Sequence, residues 1–292
     1  MANRWGENKM YDVGILGNGF VGSSIASGLA LHANVKIHDP NPDRSLNTFE
    51  EVVDCDFVFV SVPTPMNLSK NNEIDLSVVR EVFSSVNTYK RRNKDSNQDS
   101  IFVLKSTVVP GTTDYLQELY PNLKIVFNPE FLTERSAKLD FINTSRVVIG
   151  GEEGLCDKLE DLYRVRFPHT LIIKTDTKSA EFIKYMCNCF FATKISFMNE
   201  MKQASNLLDL NWESVMKGFL SDGRIGNSHV DVPGHDGSLG FGGKCFPKDV
   251  NAFMNFLEKE GVKTTMLTAA WEKNQEVRDV HDWLDIEGAT SK

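Results

Sequence analysis

Residues 11–39 read YDVGILGNGFVGSSIASGLALHANVKIHD, and they decide the fold of the first half of the chain. An apolar run leads into a turn with three glycines, then into a small-residue segment and a second β-type run. The order strand, tight turn, helix, strand is typical of a dinucleotide-binding βαβ unit. Its first glycine permits the turn, its second admits a pyrophosphate and its third lets the helix pack on the strand. We therefore predict a dinucleotide site at Gly17, Asn18, Gly19, Phe20, Val21 and Gly22.

The acidic residue that ends this unit indicates which cofactor binds. Asp39 follows Gly17 by 22 residues, the spacing at which a carboxylate accepts hydrogen bonds from ribose hydroxyls and repels a 2′-phosphate. The sequence thus predicts NAD rather than NADP. Only 17 residues separate Asp39 from the next strong strand, Phe57–Val62. We expect the third strand of this Rossmann half to be short or missing.

Further apolar runs alternate with helix-like segments up to about residue 175, which predicts an α/β protein with a doubly wound, Rossmann-type parallel sheet. Two prolines in Pro63-Thr64-Pro65 end the run before them, and ligands bind beyond that edge of an open sheet. The runs are Phe57–Val62, Ile101–Lys105, Lys124–Asn128, Arg146–Gly150 and Leu171–Lys174.

The character of the sequence changes after residue 178. No Gly or Pro occurs from Ser179 to about Leu210, and the apolar spacing predicts one long helix. Its many Phe and Met side chains exceed what a small helical lobe can cover, so we expect a second copy of the chain to cover one face. The predicted domains are an NAD-binding Rossmann domain at 9–178 and a helical dimerisation domain at 179–285, with the homodimer formed through 179–210.

The stretch Gly240–Asp249 contains a candidate nucleophile. Its glycines lack a Cβ and let the backbone approach a ligand. Cys245 stands between Lys244 and Lys248, and nearby cations stabilise the thiolate that attacks electrophiles. A lone cysteine is more often a small buried hydrophobe, but the glycines and lysines favour a nucleophile here.

The composition excludes several classes of protein. A net charge of −8 over 292 residues does not suit a general binder of nucleic acid or anionic membranes. No apolar run approaches the ~20 residues of a membrane helix, and residues 1–9 are polar, without a signal core. Five cysteines, an odd number, indicate free thiols in a reducing cytoplasm. No metal site is predicted, because no second Cys or His pair accompanies Cys187 and Cys189.

Six ordered motifs together resemble the UDP-glucose/GDP-mannose dehydrogenase family of nucleotide-sugar dehydrogenases, from about Tyr11 to Trp283. The motifs are Gly17–Gly22, Val62-Pro63-Thr64-Pro65, Lys105-Ser106-Thr107, Asn128-Pro129-Glu130-Phe131-Leu132, Lys184 with Asn188, and Gly240–Asp249. The resemblance implies an NAD domain, a central part with a dimerising helix and a C-terminal nucleotide-binding domain. The last is expected to be absent here, because the chain stops at Lys292.

The resemblance also implies a reaction, the four-electron oxidation of a sugar C6 alcohol to the carboxylate with two NAD⁺. Cys245 would add to the aldehyde to give a thiohemiacetal, which is oxidised to a thioester. Lys184 and Asn188, one helical turn apart, would stabilise the alkoxide or oxyanion. UDP-glucose is the commonest substrate of the family, and GDP-mannose and UDP-N-acetylhexosamines remain open.

The remaining roles are likewise carried over from the family pattern. Asp249 and Thr107 would hold and activate water or the alcohol, and Glu130 would be the general base in thioester hydrolysis. Beyond the glycine turn and Asp39, the cofactor would contact Arg44, Val62, Pro63, Thr64, Ser106, Thr107 and Glu134. The substrate would contact Glu130, Phe131, Leu132, Glu134, Lys184, Asn188, Arg224, Gly240, Phe241, Gly242, Gly243 and Cys245, with Arg224 offered across the dimer.

Two interpretations of other classes stay open. A two-electron dehydrogenase of the hydroxyacid type would share the NAD domain and the long helix, but it needs no cysteine. A catalytically idle subunit that binds NAD or a nucleotide sugar would require a partner protein. NADH production by the purified chain, and its dependence on Cys245, would separate these cases.

Overall fold

The structure is a computed structural model that describes residues 10–292, so the polar N-terminus at 1–9 lies outside the described residues. The chain forms two compact units. Unit 1 contains the described residues up to Thr64 together with Leu76–Lys184, and unit 2 contains Pro65–Asp75 and Tyr185–Lys292. The compact units divide between Lys184 and Tyr185, six residues after the predicted domain boundary at 178/179. The domain boundary itself stays a prediction.

The strands are β1 (Tyr11–Leu16), β2 (Ala33–His38), β3 (Phe57–Val60), β4 (Met66–Asn67), β5 (Glu73–Ile74), β6 (Ile101–Leu104), β7 (Lys124–Phe127), β8 (Arg146–Gly150), β9 (Leu171–Thr175) and β10 (Thr290–Ser291). The helices are α1 (Phe20–Leu29), α2 (Phe49–Val53), α3 (Ser77–Arg92), α4 (Thr112–Leu119), α5 (Ala137–Ile142), α6 (Glu153–Arg166), α7 (Thr177–Leu207), α8 (Trp212–Leu220), α9 (Phe246–Lys259) and α10 (Thr265–Val277).

Unit 1 is built on a seven-stranded sheet of order β2-β1-β3-β6-β7-β8-β9. The pairs from β2 to β7 are parallel, which confirms the predicted fold class. The edge position of β2 confirms that the third strand of this Rossmann half is missing, because residues 39–56 form only a 3₁₀ turn and α2.

One feature of this sheet differs from the fully parallel prediction. β8 runs antiparallel to β7, and β9 runs parallel to β8. A parallel neighbour would require a crossover to the opposite end of the sheet. The segment between β7 and β8 instead carries the short helix α5, which packs on α1. This segment, which includes Glu130, therefore stays at the carboxyl edge of β7.

The core of unit 1 lies on both faces of this sheet. Side chains alternate along β3, so Phe57 and Phe59 join one buried cluster while Val58 and Val60 join the other. Strands covered by helices on both sides read as continuous apolar runs. This explains why the sequence locates these strands so well.

Unit 2 is mostly helical, as predicted, and α7, most of which lies in this unit, confirms the long helix predicted from Ser179 to about Leu210. It also contains a small sheet of order β10-β4-β5, in which β10 pairs parallel with β4. Helix α9 begins at Phe246 and has Pro247 in its first turn, where the missing N–H of proline costs no hydrogen bond. Helix α10 ends at Val277, because the backbone is extended at Arg278.

No helix in residues 10–292 is both long and apolar enough to cross a membrane.

Candidate active site

Two of the three glycines in the turn are required by the packing of the protein itself, and one is not. Gly17 has φ +92°, and a Cβ there would lie 2.7 Å from the carbonyl oxygen of Ser61. A Cβ on Gly22 would lie 2.0 Å from the carbonyl oxygen of Gly17. A Cβ on Gly19 would meet no atom within 4 Å. The fold therefore requires the first and third glycines, whereas the second leaves open space beside the backbone.

The residues around the turn fit a dinucleotide. The Asp39 carboxylate accepts a hydrogen bond from the Asn18 backbone N–H at 2.7 Å, and the Asn18 side chain donates to the Arg44 carbonyl at 2.8 Å. The Oδ1 atom of Asn18 is buried without a hydrogen-bond partner. No side chain caps α1, which begins after Gly19. Its first N–H groups are therefore available to phosphate oxygens.

The other predicted cofactor residues differ in burial. Val62 and Thr64 are buried, and Ser106 donates from Oγ to the Val62 carbonyl at 2.7 Å. This bond joins the segments that follow the neighbouring strands β3 and β6. Thr107 is partly exposed, and the side chains of Arg44, Pro63 and Glu134 are exposed.

Unit 1 contains a buried ion pair between Glu130 and Lys184. The Lys184 Nζ lies 2.7 Å from Glu130 Oε1, and the two side chains are only 4% and 7% exposed. The other oxygen, Glu130 Oε2, accepts the Leu132 backbone N–H at 2.6 Å. The carboxylate is thereby fixed at both oxygens. The structure thus brings together three residues that the family pattern assigns to the site.

A second buried lysine lies beneath this segment. Lys105 Nζ donates to Asn128 Oδ1 at 3.0 Å and to the Pro129 carbonyl at 3.1 Å. Burial lowers the pKa of Lys105 to about 7, with Glu130 opposing and Lys184 assisting the shift. Lys105 was not predicted as a site residue, although it belongs to a motif that supports the resemblance. It anchors the turn that carries Glu130.

Phe131 and Leu132 line a cavity of about 240 Å³ in unit 1, together with Lys105, Glu130 and Arg146. The Arg146 guanidinium carbon lies 4.1 Å from the centre of the Phe131 ring, and the Lys184 Nζ lies 5.7 Å from it. Two cations therefore contact one aromatic ring. The predicted substrate residues of this segment line a real concavity.

In unit 2 the carboxylate of Asp249 is held at both oxygens. Asn188 Nδ2 donates to Asp249 Oδ2 at 2.6 Å, and Lys248 Nζ pairs with Asp249 Oδ1. Asp249 is 1% exposed. The sequence suggested that Lys248 serves the thiol, whereas its charge is paired with Asp249.

Cys245 caps the N-terminus of α9 and is partly exposed. Its carbonyl accepts the Asp249 backbone N–H at 2.9 Å, so the two residues lie one helical turn apart. The partial positive charge at a helix N-terminus stabilises an anion such as a thiolate. All five cysteines are free, as the sequence predicted.

The glycine loop before Cys245 depends on residues that sequence reasoning missed. Gly240 and Gly243 have φ of +67° and +73°, a region that favours glycine. The backbone N–H of Gly240 donates to Asn199, that of Phe241 to Asn274, and that of Gly243 to Asp282. These partners stand 33 to 41 residues away in the chain, which no local pattern reveals.

Arg224 is exposed and hydrogen-bonds to Asp222 through Nε at 2.9 Å. Its predicted role across a dimer stays a prediction, as do the catalytic and binding roles of the other site residues.

The fold and the glycine turn place the chain in the class of NAD-binding Rossmann proteins. Residues 43–166 match the sequence model described as "UDP-glucose/GDP-mannose dehydrogenase family, NAD binding domain". Residues 178–276 match the model of the central domain of the same family. The chain belongs to the UDP-glucose/GDP-mannose dehydrogenase family.

Individual relatives agree with this assignment. UDP-glucose 6-dehydrogenase of Rickettsia bellii is 34% identical over 78% of this chain and 51% of that protein. The enzyme of the same name from Pseudomonas aeruginosa is 35% identical over 79% and 51%. The structure of a UDP-glucose dehydrogenase from Pyrobaculum islandicum matches with a TM-score of 0.81 and 30% identity, over 92% of this chain and 68% of that one. The chain thus spans about half the length of these two curated relatives.

Proposed function

We propose that this chain is an NAD-dependent nucleotide-sugar 6-dehydrogenase that oxidises the C6 alcohol of UDP-glucose to the carboxylate of UDP-glucuronate. The observation that carries the proposal is Cys245 at the N-terminus of α9, with the Asp249 carboxylate fixed one turn later by Asn188 and Lys248. A two-electron alcohol oxidation has no use for such a thiol, whereas a thiol provides a covalent route for oxidation beyond the aldehyde.

The residues of unit 1 suit NAD, and the match to the family's NAD-binding domain supports it. Gly19 and the N–H groups of α1 would bind the pyrophosphate, and Asp39 would bind the adenosine ribose. Val62, Ser106 and Thr107 would line the path toward the sheet edge. When bound, NAD⁺ supplies the electron acceptor for both oxidations.

Cys245 accounts for the second oxidation. Its thiolate adds to the aldehyde carbon, and the aldehyde oxygen takes a proton, which gives a thiohemiacetal. Loss of a hydride from the carbon and of a proton from the hydroxyl converts this to a thioester. Water then breaks the C–S bond, which releases the carboxylate and returns Cys245. The overall reaction consumes one water and two NAD⁺ for each sugar, and no aldehyde leaves the protein.

The polar groups have separate roles in this proposal. Lys184 and Asn188 stabilise the negative oxygen that develops at the reacting carbon. Glu130 takes a proton from the hydrolytic water, while Asp249 and Thr107 orient water or the alcohol. The fixed geometry of Glu130 and Asp249 supports these roles, because a preorganised group needs no rearrangement as charge develops.

The substrate assignment follows the names of the relatives, which are UDP-glucose dehydrogenases. GDP-mannose and UDP-N-acetylhexosamines are the alternatives. The segment Glu130–Leu132 and the loop 240–243 would contact the sugar, with Glu134 and Arg224 near its ends. We also propose a homodimer through α7 and a cytoplasmic location, the latter because all five thiols are free.

A covalent adduct tests the mechanism. In Glu130→Gln, hydrolysis of the thioester slows, so mixing with NAD⁺ and UDP-glucose should produce a protein carrying the sugar nucleotide, detected by intact-protein mass spectrometry. Adding Cys245→Ala should abolish the adduct, whereas adding Cys187→Ala, at another partly buried thiol, should leave it.

An adduct that survives Cys245→Ala would contradict the thioester route. Turnover in Cys245→Ala with one NADH per substrate would instead indicate a two-electron dehydrogenase. No turnover and no adduct with any nucleotide sugar would favour an idle binding subunit.

A further inference from the structure

Three of the side chains that hold the glycine-rich loop before Cys245 come from α10 and the turn after it. They are Asn274, Arg278 and Asp282, which recur every four residues. Asn274 and Arg278 are 0% and 4% exposed. The proposed reaction uses none of them, and the match to the family's central domain ends at residue 276. We call this set the loop clamp.

The side chain of Asn274 hydrogen-bonds to both backbone groups of Phe241, as a neighbouring β-strand would. Its Oδ1 accepts the Phe241 N–H at 2.6 Å, and its Nδ2 donates to the Phe241 carbonyl at 3.0 Å. A Cβ on Gly240 would lie 2.3 Å from Asn274 Oδ1, so the approach is closed to any other residue. Phe241 is itself 2% exposed. The first half of the loop is thus fixed at both backbone groups.

Arg278 holds the start of the loop and Asp282 holds its end. Arg278 Nη1 donates to the Leu239 carbonyl at 3.2 Å, and Nη2 donates to Asp236 at 2.9 Å and to Asp282 Oδ1 at 3.0 Å. The remaining oxygen, Asp282 Oδ2, accepts the Gly243 N–H at 3.0 Å. Arg278 and Asp282 therefore join both ends of the loop through one charged pair.

The clamp also explains Gly242. A Cβ on this residue would lie 2.2 Å from both Arg278 Nη2 and Asp282 Oδ1. One side of Gly242 is thus filled by the charged pair. The absence of a Cβ at Gly240 and Gly242 lets the loop approach the clamp closely, whereas Gly243 has no clamp atom within 4 Å of its Cβ position.

We propose that Asn274, Arg278 and Asp282 are positioning residues that fix residues 239–243 in the conformation that receives the nucleotide sugar. The proposal rests on the proposed function, because it assigns the loop to that substrate. A loop with two left-handed glycines samples many conformations when it is free, and ordering it on binding costs affinity. The clamp removes that cost before the substrate arrives. The clamp should therefore increase the affinity for the nucleotide sugar and leave the affinity for NAD⁺ unchanged.

The test compares ligand affinities in Asp282→Ala, which frees the Gly243 N–H and removes one of the two carboxylates that pair with Arg278. Calorimetry should show the Kd for UDP-glucose raised by about tenfold or more, because a loss of 1.4 kcal/mol is tenfold in affinity, with the Kd for NAD⁺ changed by less than about twofold. Asp282→Asn keeps one acceptor oxygen and should recover part of the loss. The matched control is Glu276→Gln, since Glu276 lies on α10 but makes a surface pair with Lys273.

A second variant distinguishes a loss of loop positioning from misfolding of the protein. Arg278→Lys keeps the charge but cannot form the fork that Arg makes, and it should raise the Kd for UDP-glucose while amide exchange in residues 240–243 becomes faster. Unchanged UDP-glucose affinity in Asp282→Ala and Arg278→Lys overturns the inference alone. So does an equal loss of NAD⁺ affinity, which would indicate general destabilisation. A wild-type protein that binds no nucleotide sugar overturns the proposed function as well.

Discussion

At the scale of single residues, the glycines of the first turn separate folding from binding. Gly22 is required because its Cβ would overlap the Gly17 carbonyl, whereas nothing in the protein occupies the space beside Gly19. A ligand-binding role is the simplest reason for leaving that space open.

This contrast predicts opposite effects of the same substitution. Gly22→Ala should destabilise the protein by roughly 2 kcal/mol or more, because overpacking forces backbone shifts. Gly19→Ala should change stability by less than about 1 kcal/mol and raise the Kd for NAD⁺ by about tenfold or more, a loss of 1.4 kcal/mol. Urea unfolding and NAD⁺ titration of both variants provide the measurement. Normal NAD⁺ affinity in Gly19→Ala would contradict the assignment of this turn to the pyrophosphate.

At the scale of elements, α7 is anchored to α4 by one buried carboxylate. Glu181 is 0% exposed, and it accepts hydrogen bonds from the backbone N–H groups of Gly111 and Thr113 and from the Thr113 hydroxyl. These N–H groups lie at the N-terminus of α4, where a helix has no partners of its own. Glu181 stands one turn before Lys184, so the same contact fixes the position of that lysine.

Burial raises the pKa of Glu181 to about 7, although its three donors oppose the shift. The folded protein therefore binds more protons than the unfolded chain between about pH 4.5 and pH 7, and stability falls as the pH rises through that window. Glu181→Gln should remove this loss, which is on the order of 3 kcal/mol. Urea unfolding of wild type and Glu181→Gln at pH 5 and pH 7.5 measures it.

The exposed Glu118 on α4 gives the matched control, since Glu118→Gln should follow the wild type. If the stability difference between wild type and Glu181→Gln stays the same at both pH values, Glu181 does not titrate as described.

The sequence predicts the elements better than it predicts their connections. Buried strands such as β3 and β6 read as apolar runs, and α7 is a long stretch without Gly or Pro. The two-residue strands β4 and β10 leave no periodic trace, because their pairing joins segments more than 200 residues apart. The reversed direction of β8 is equally hidden, since apolar content does not encode strand direction.

The residues of the candidate site also differ in how far the sequence predicts them. Cys245, Asn188, Asp249, Glu130 and Lys184 lie in motifs that can be read locally or through the family. The loop clamp does not lie in such a motif, because Arg278 and Asp282 acquire their role only when α10 lies against the glycine loop. Their spacing of four residues was the available signal, but that spacing is common on any helix.

At the scale of the whole molecule, α7 carries an exposed apolar stripe. Phe182, Met186 and Phe190 recur every four residues and are 40%, 56% and 63% exposed. Phe197 adds a third exposed ring, 49% exposed, further along the helix. A stripe of this kind is costly to leave in water, and a second copy of the chain would cover it.

The stripe therefore predicts a dimer that one charge would break. Phe190→Glu should shift the protein to monomers in sedimentation velocity, because it places an unpaired carboxylate in an apolar interface. Leu31→Glu, at a residue 89% exposed in unit 1, should leave the dimer intact. A wild-type monomer, or a Phe190→Glu dimer of unchanged affinity, would contradict the proposed interface.

The central claim is a four-electron oxidation that depends on one thiol, and the amount of NADH formed for each sugar tests it most directly. Purified protein with excess NAD⁺ and limiting UDP-glucose should yield two NADH and one UDP-glucuronate per sugar, and Cys245→Ala should abolish the carboxylate. A yield of one NADH per sugar, or carboxylate formation that persists without Cys245, would contradict the account.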